Sequence, residues 1–389
     1  MQLADRMQSL GTETAFDVLA RARALEAQGR KIVHLEIGEP DFDTPSNIVQ
    51  AAVTALQQGY THYGPAAGLP ELREAIAQRM ATVRGVKVDP GRIVVTPGAK
   101  PIMFFTILAL VNPGDEVIYP DPGFPIYESM VGFVGGVKKP IRLREEREFR
   151  MDVAELKDLI TPRTRLVILN SPHNPTGSVL TRGDLEAVAE VTQKTGTLVL
   201  ADEIYSDLLY DAEHVSLASL PGMLDRMILL DGFSKTYAMT GWRLGYGIFP
   251  DWLAPLIAKL QVNATSCTAS FTQRAGVEAL VGSQAGAEAM HAEFRRRRDH
   301  IVRGLNQISG VTCLTPRGAF YVFPNIRGTG KTSQELADLL LYEAGVATLP
   351  GTAFGPAGQG YLRLSYANSI ENLTSALERM GEVLSAIRA

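Results

Sequence analysis

Five short apolar runs, at residues 93–96, 117–119, 166–170, 198–201 and 227–230, constrain this chain's fold more than any other feature. Each is too short for a helix, ends in polar or glycine-rich residues, and is followed by a stretch of helical pattern. That alternation predicts strands and helices wrapped around a mainly parallel sheet. Ligands of such sheets gather at the carboxyl ends of the strands. Residues just beyond these runs are therefore the first candidates for chemistry.

Beyond the last run, residues 232–245 set one lysine, Lys235, among small residues, with Arg243 eight positions later. A partly desolvated amine is more easily neutral and so more nucleophilic, which suits Schiff-base chemistry. The arginine suits a phosphate. An amine that bonds an aldehyde, beside a cation that holds a phosphate, matches the two ends of pyridoxal phosphate.

At 389 residues with 46% hydrophobic content, the chain predicts two lobes, each with its own core. The tail reads as a smaller α+β lobe, with a charged amphipathic helix through 293–305, short strands near 318–323 and 361–365, and a closing helix from Ile370. The run Arg295 to Arg298 carries a stripe of Phe294, Ile301 and Leu305, which predicts a solvated helix face rather than a nucleic-acid site. A net charge of −4, from 42 acidic and 38 basic residues, lacks the positive field that nucleic acid or an anionic membrane demands. The two cysteines, Cys267 and Cys313, resemble neither a metal cluster nor a disulfide framework, and the expected compartment is a reducing cytoplasm. No signal-peptide core and no stretch near the ~20 apolar residues of a membrane span is found, so a soluble, unprocessed protein is expected.

Asp202 follows the fourth run. Beside a pyridine nitrogen it would keep that nitrogen protonated, and alternatively it would cap the next helix. Tyr205 could donate to a ring phenolate. Residues 170–177 form a rigid Asn-Pro turn that either aims Asn174 at a ligand oxygen or bonds its own backbone. His173 receives no role. Gly98, Ala99 and Lys100 open a helix through 101–110 whose free amides could cradle a phosphate. Arg363 could grip a substrate carboxylate or simply lie exposed on a strand. The aromatic, glycine-rich loop 62–68 suggests a reach across a subunit interface.

Taken together, these motifs resemble the class I/II, fold type I aminotransferases that use pyridoxal phosphate, over nearly the whole chain, and within them the bacterial aspartate aminotransferase-like subgroup. The likeness implies an N-terminal arm with part of the small domain at 1–45, a large domain at 46–285 built on a mainly parallel seven-stranded sheet flanked by helices, and a small C-terminal domain at 286–389. It implies that Lys235 holds the cofactor as a Schiff base and then, as a free base, shuttles the substrate's Cα proton. Asp202 would pair with the pyridinium nitrogen, Tyr205 and Asn174 would bond the ring oxygen, and Phe124 would stack on the ring. Arg243, Ser234 and the Gly98, Ala99, Lys100 turn would take the phosphate, joined by Tyr63 from the neighbouring subunit of a homodimer. Gly232 replaces a phosphate-binding serine of many relatives. Gly38 lies in the segment that closes over the substrate, Arg363 would bind its α-carboxylate with Asn174 nearby, and Lys100 either reaches a distal carboxylate or serves through its backbone.

The implied activity is a ping-pong transfer from an L-amino acid, aspartate favoured, to a 2-oxo acid such as 2-oxoglutarate. Alanine or aromatic donors, and a β-elimination lyase, are the alternatives. A cofactor-binding DNA regulator is disfavoured, because the motifs begin by Gly38 and leave too little preceding chain for a recognition domain.

Overall fold

The computed structural model describes residues 3–386. Helix α1 (Thr14–Glu26) leads to a short strand, β1 (Val33–His34), and then to α2 (Ser46–Gln57) and α3 (Pro70–Arg84). The strands of the main sheet follow: β2 (Ile93–Thr96), β3 (Glu116–Asp121), β4 (Val137–Arg142), β5 (Thr164–Asn170), β6 (Leu198–Asp202), β7 (Met227–Gly232) and β8 (Gly245–Ile248). They lie in the order β2-β8-β7-β6-β5-β3-β4. All neighbours run parallel except β8, which is antiparallel to both β7 and β2.

The five apolar runs are thus strands of one sheet, and their residues are apolar throughout because both faces are covered. Val95, Val167, Leu169, Val199, Ala201 and Leu229 enter one core with α1, α2 and α3 and with α7 (Arg182–Thr195). Their neighbours Val94, Leu166, Ile168, Leu200, Ile228 and Leu230 enter the opposite core with α4 (Lys100–Leu110) and α5 (Pro125–Phe133). Two strands escape the sequence reading. β4 is an edge strand in which only Ile141 is buried, with Pro140 where no further neighbour needs its N–H. β8 reads Gly-Tyr-Gly-Ile, because a Cβ on Gly245 would lie 2.4 Å from the Ala99 nitrogen. Its glycines let the sheet close against the turn that opens α4.

The tail forms a second cluster, built on α10 (Ala285–Leu305) and α12 (Ile370–Ala386) with β9 (Tyr321–Val322) and β12 (Leu362–Ser365). β12 pairs antiparallel with β9, and Val33 and Leu35 from the N-terminal segment join the same cluster. Phe294, Ile301 and Leu305 are buried as their spacing predicts. The expectation of a solvated arginine face holds only for Arg295 and Arg296. Arg297 and Arg298 are buried, Arg297 paired with Asp41 and Glu293 and Arg298 with Asp211 and Asp299. Their guanidinium groups lie 4.6 Å from the Phe42 ring and 4.9 Å from the Tyr210 ring. A planar, weakly hydrated cation can be buried where rings and carboxylates meet it, which a charge pattern alone does not reveal. Among the described residues no helix is long and apolar enough to cross a membrane.

Candidate active site

The carboxyl ends of β5, β6 and β7 open into a cavity of about 450 Å³, closed on the far side by β9 and β12. Eleven of the residues singled out from sequence line it: Gly38, Ala99, Lys100, Phe124, Asn174, Asp202, Tyr205, Ser234, Lys235, Arg243 and Arg363. Gly98 sits just behind, in the turn before α4. Tyr63 does not line this cavity and is 89% exposed.

Lys235 projects from the turn after β7, facing the cavity and enclosed by protein elsewhere. Its Nζ donates to the Gly38 carbonyl at 2.6 Å and lies 5.7 Å from the Phe320 ring. Burial pushes the amine down to about 8, reinforced by Arg363 and Lys100 and opposed by Glu39 and Glu13. A lysine so placed is a usable nucleophile and base near neutral pH.

Asp202 ends β6 and is buried. Its Oδ2 accepts from the Tyr127 hydroxyl at 2.5 Å and its Oδ1 accepts from the Ile204 N–H at 3.2 Å. The two readings of this residue are therefore compatible: one oxygen braces the following turn, while the carboxyl still borders the cavity. No helix follows it, only a turn. Burial pushes the carboxyl up to about 6, opposed by the Tyr127 and Ile204 hydrogen bonds. The Tyr205 hydroxyl shares a 2.7 Å hydrogen bond with that of Tyr321. Tyr321 also explains Gly38, where a Cβ would stand 2.2 Å from the tyrosine oxygen.

The Asn170 side chain receives the Asn174 N–H at 2.8 Å, which fixes the turn and leaves the buried Asn174 Oδ1 without a partner. Arg363, on β12, is buried between the rings of Tyr321 and Phe354, at 4.6 and 5.1 Å. One Nη donates to the Glu36 carbonyl, Nε has no partner, and burial pushes the group below the ordinary arginine value. Arg243 adopts a φ of 54° and donates to the Thr240 carbonyl at 2.7 Å. Neither arginine has an ion-pair partner among the described residues. Arg243 is exposed on its own chain, so it is the buried and unpaired Arg363 that asks for an anionic partner, with Arg243 available at the cavity mouth for a second.

Tyr127, Tyr321 and Glu13 are among the cavity residues that escape sequence reasoning. Tyr127 lies one helical turn beyond Phe124, a spacing that could have suggested it. Tyr321 and Glu13 carry no local signal.

The mainly parallel sheet with a lysine at its strand ends is the architecture of fold type I pyridoxal-phosphate enzymes. The family model for aminotransferase class I and II matches residues 30–380. The chain is 45% identical to an aspartate aminotransferase of Pyrococcus abyssi, over 92% of this chain and 93% of that protein. It is 40% identical to aromatic-amino-acid aminotransferase 2 of Thermococcus litoralis, over 99% and 98%. The solved structure of an aspartate aminotransferase from Thermus thermophilus with maleate superposes with a TM-score of 0.95, at 40% identity, covering 98% of this chain and all of that one. The chain belongs to the class I and II aminotransferases, and it is a pyridoxal-phosphate-dependent aminotransferase.

The residues present fit that cofactor. The enclosed amine suits its aldehyde, the uncompensated Asp202 carboxyl suits a ring nitrogen, the Asn174 side-chain NH2 could donate to a ring oxygen, and Arg243 beside the α4 turn suits its phosphate.

Proposed function

We propose that this aminotransferase takes its amino group from an acidic L-amino acid, aspartate being the favoured donor, and passes it to a 2-oxo acid such as 2-oxoglutarate in a ping-pong cycle at one site. The observation that carries this reading is the pair of cations, Arg363 and Lys100, facing a single cavity. A substrate with a carboxylate at each end can meet both. Arg363 would take the α-carboxylate through two parallel hydrogen bonds, with Asn174 beside it, and Lys100 would take the distal one. The relative named aspartate aminotransferase supports the choice.

When bound, pyridoxal phosphate supplies an aldehyde carbon for an amine to condense with and a ring that withdraws electrons from the substrate Cα. In this reading Lys235 Nζ would hold the cofactor by its aldehyde carbon and, as a neutral amine, would take and carry the proton of the substrate Cα. Asp202, braced by Tyr127, would keep the ring nitrogen charged. Tyr205 and Asn174 would hold the ring oxygen, and Phe124 would pack on the ring. Arg243, Ser234 and the turn of Gly98, Ala99 and Lys100 would take the phosphate. Gly38, which accepts from Lys235, belongs to the segment covering the substrate.

Tyr63, so exposed on its own chain, would complete the phosphate site of a second subunit in a homodimer. The domain division at 45/46 and 285/286 is supported by the confinement of β2–β8 to the middle segment and by a second core around α10 and α12, which Tyr205, Leu208 and Tyr210 of the middle segment also join. The free thiols of Cys267 and Cys313 support a cytoplasmic location.

Mixing the holoenzyme with aspartate, glutamate, alanine or phenylalanine and following the cofactor's absorbance through one half-reaction should rank aspartate first. An aromatic donor is the second reading, favoured by Ile37 and the 58%-exposed Phe16 on the cavity wall. Phenylalanine or alanine outpacing aspartate would overturn the acidic reading. Pyruvate and ammonia from a cysteine-type substrate, with no amino-acid product, would mark a lyase.

Gly98 tests the phosphate end separately. Its φ is +84°, and a Cβ there would stand 2.1 Å from Arg243 Nη2 and 2.8 Å from Cζ. Gly98→Ala should therefore displace the guanidinium and add ~1–2 kcal/mol of backbone strain. The expected result is cofactor retention weakened about tenfold in equilibrium dialysis. Unchanged retention would remove Arg243 from the phosphate site.

A further inference from the structure

We propose that Glu13 sets how strongly the site accepts a second carboxylate, by occupying Lys100 until the distal carboxylate of a substrate displaces it. The inference rests on the reading above, in which Lys100 faces the distal group.

Glu13 immediately precedes α1, and its Oε1 accepts from Lys100 Nζ across 87 residues of sequence. Both residues line the active-site cavity. Lys100 Nζ also lies 5.5 Å from the centre of the Phe124 ring, so the amine is held between ring and carboxylate. The segment carrying Glu13 is tied down two residues earlier, where Gly11 and Ser129 exchange hydrogen bonds of 2.8 and 3.2 Å. Ser129 belongs to α5, the helix that begins after Phe124. The carboxylate is thus held near Lys100 by the fold and does not merely drift against it.

Two other carboxylates line the cavity, and each is otherwise engaged: Asp202 accepts from Tyr127, and Glu39 accepts from the Thr240 hydroxyl. Glu13 is the one whose partner is the cation assigned to the substrate. Its charge also reaches the amine of Lys235 and the guanidinium of Arg363, which it favours in their protonated forms.

The side chains of Glu13 and Lys100 are 21% and 52% exposed. An ion pair so open to water is weak, so a dicarboxylate can replace it at a cost of up to roughly fivefold in affinity. A substrate with a neutral side chain leaves the pair intact and meets no bare cation. One site can thereby receive both kinds of side chain with Lys100 paired in either case, the displaced Glu13 carboxylate being left to water.

The test uses holoenzyme of the parent, Glu13→Gln, Lys100→Ala and the double variant, titrated through cofactor absorbance at fixed pH and ionic strength. The probes are maleate, a dicarboxylate that cannot react, and butyrate, which lacks the second carboxylate. Glu13→Gln should raise the ratio of maleate to butyrate affinity about three- to fivefold, and should leave it unraised when Lys100 is already alanine. An unchanged or lowered ratio in Glu13→Gln, or an equal gain in the Lys100→Ala background, would overturn the proposal while leaving the acidic-donor reading in place. Parent and Lys100→Ala proteins with the same maleate affinity would overturn both.

Discussion

Lys235→Ala should lower transamination by at least about three orders of magnitude while cofactor still occupies the site, because one side chain is asked to do two jobs. In the proposed mechanism it would account for roughly 10²–10⁴ in rate as general base, and as the covalent anchor it would position the reacting carbon. Its environment is built for both. At about 8, the amine is neutral in about one molecule in ten at pH 7. An ordinary lysine at the same pH is neutral in only about one in three thousand. The shift comes chiefly from enclosure, so it should persist until the site opens or a ligand supplies a new charge.

A second consequence follows with its sign determined. The neutral amine is the reactive form, so the rate at which apoprotein takes up pyridoxal phosphate should climb as pH rises through about 8 and then level off. Stopped-flow absorbance on the apoprotein measures the first step, and single half-reactions on the alanine variant measure the second. Partial recovery with an added small amine such as methylamine would separate the missing base from a damaged fold. Retention of a tenth of the parent rate would end the assignment.

How far this site could be read in advance depended on whether a residue's partner lies nearby in sequence. β2, β3, β5, β6 and β7 were legible because strands covered on both faces have no polar alternation to disguise them. β4 and β8 were not, since an edge strand carries lysine and arginine and a strand pressed against a turn carries glycine. The same division holds for the chemistry. Lys235 and Asp202 announce themselves by following apolar strands. Tyr321 acts on Tyr205 from 116 residues away and Glu13 on Lys100 from 87, and although 318–323 reads as a strand, nothing local marks either residue as facing the site. The buried pairs of Arg297 and Arg298 were hidden likewise, because a run of four arginines looks the same whether solvated or stacked on Phe42 and Tyr210.

Asp202→Asn should be nearly as damaging as the loss of Lys235, but through electrostatics alone. The carboxyl is buried, and the cation nearest in role, Arg84, is already consumed by Glu203 at 4% and Asp231 at 7% side-chain exposure. Those two acids raise Asp202 further, so it sits at about 6 with no cation of its own. Such a group is costly to ionise until a positive ring nitrogen arrives, and the nitrogen is costly to protonate there without the carboxylate. Asparagine keeps the volume and can still accept from Tyr127, so the fold should stand while the charge is gone. Breaking a buried pair costs ~3–5 kcal/mol, which corresponds to roughly 10²–10³·⁷ in the half-reaction rate. Because Arg363 and Lys100 are untouched, the loss should fall on kcat far more than on the affinity for maleate. Tyr127→Phe, which removes only the 2.5 Å hydrogen bond, should cost about tenfold. A kcat for Asp202→Asn within tenfold of the parent, with cofactor bound, would mean that the ring nitrogen does not depend on this carboxylate.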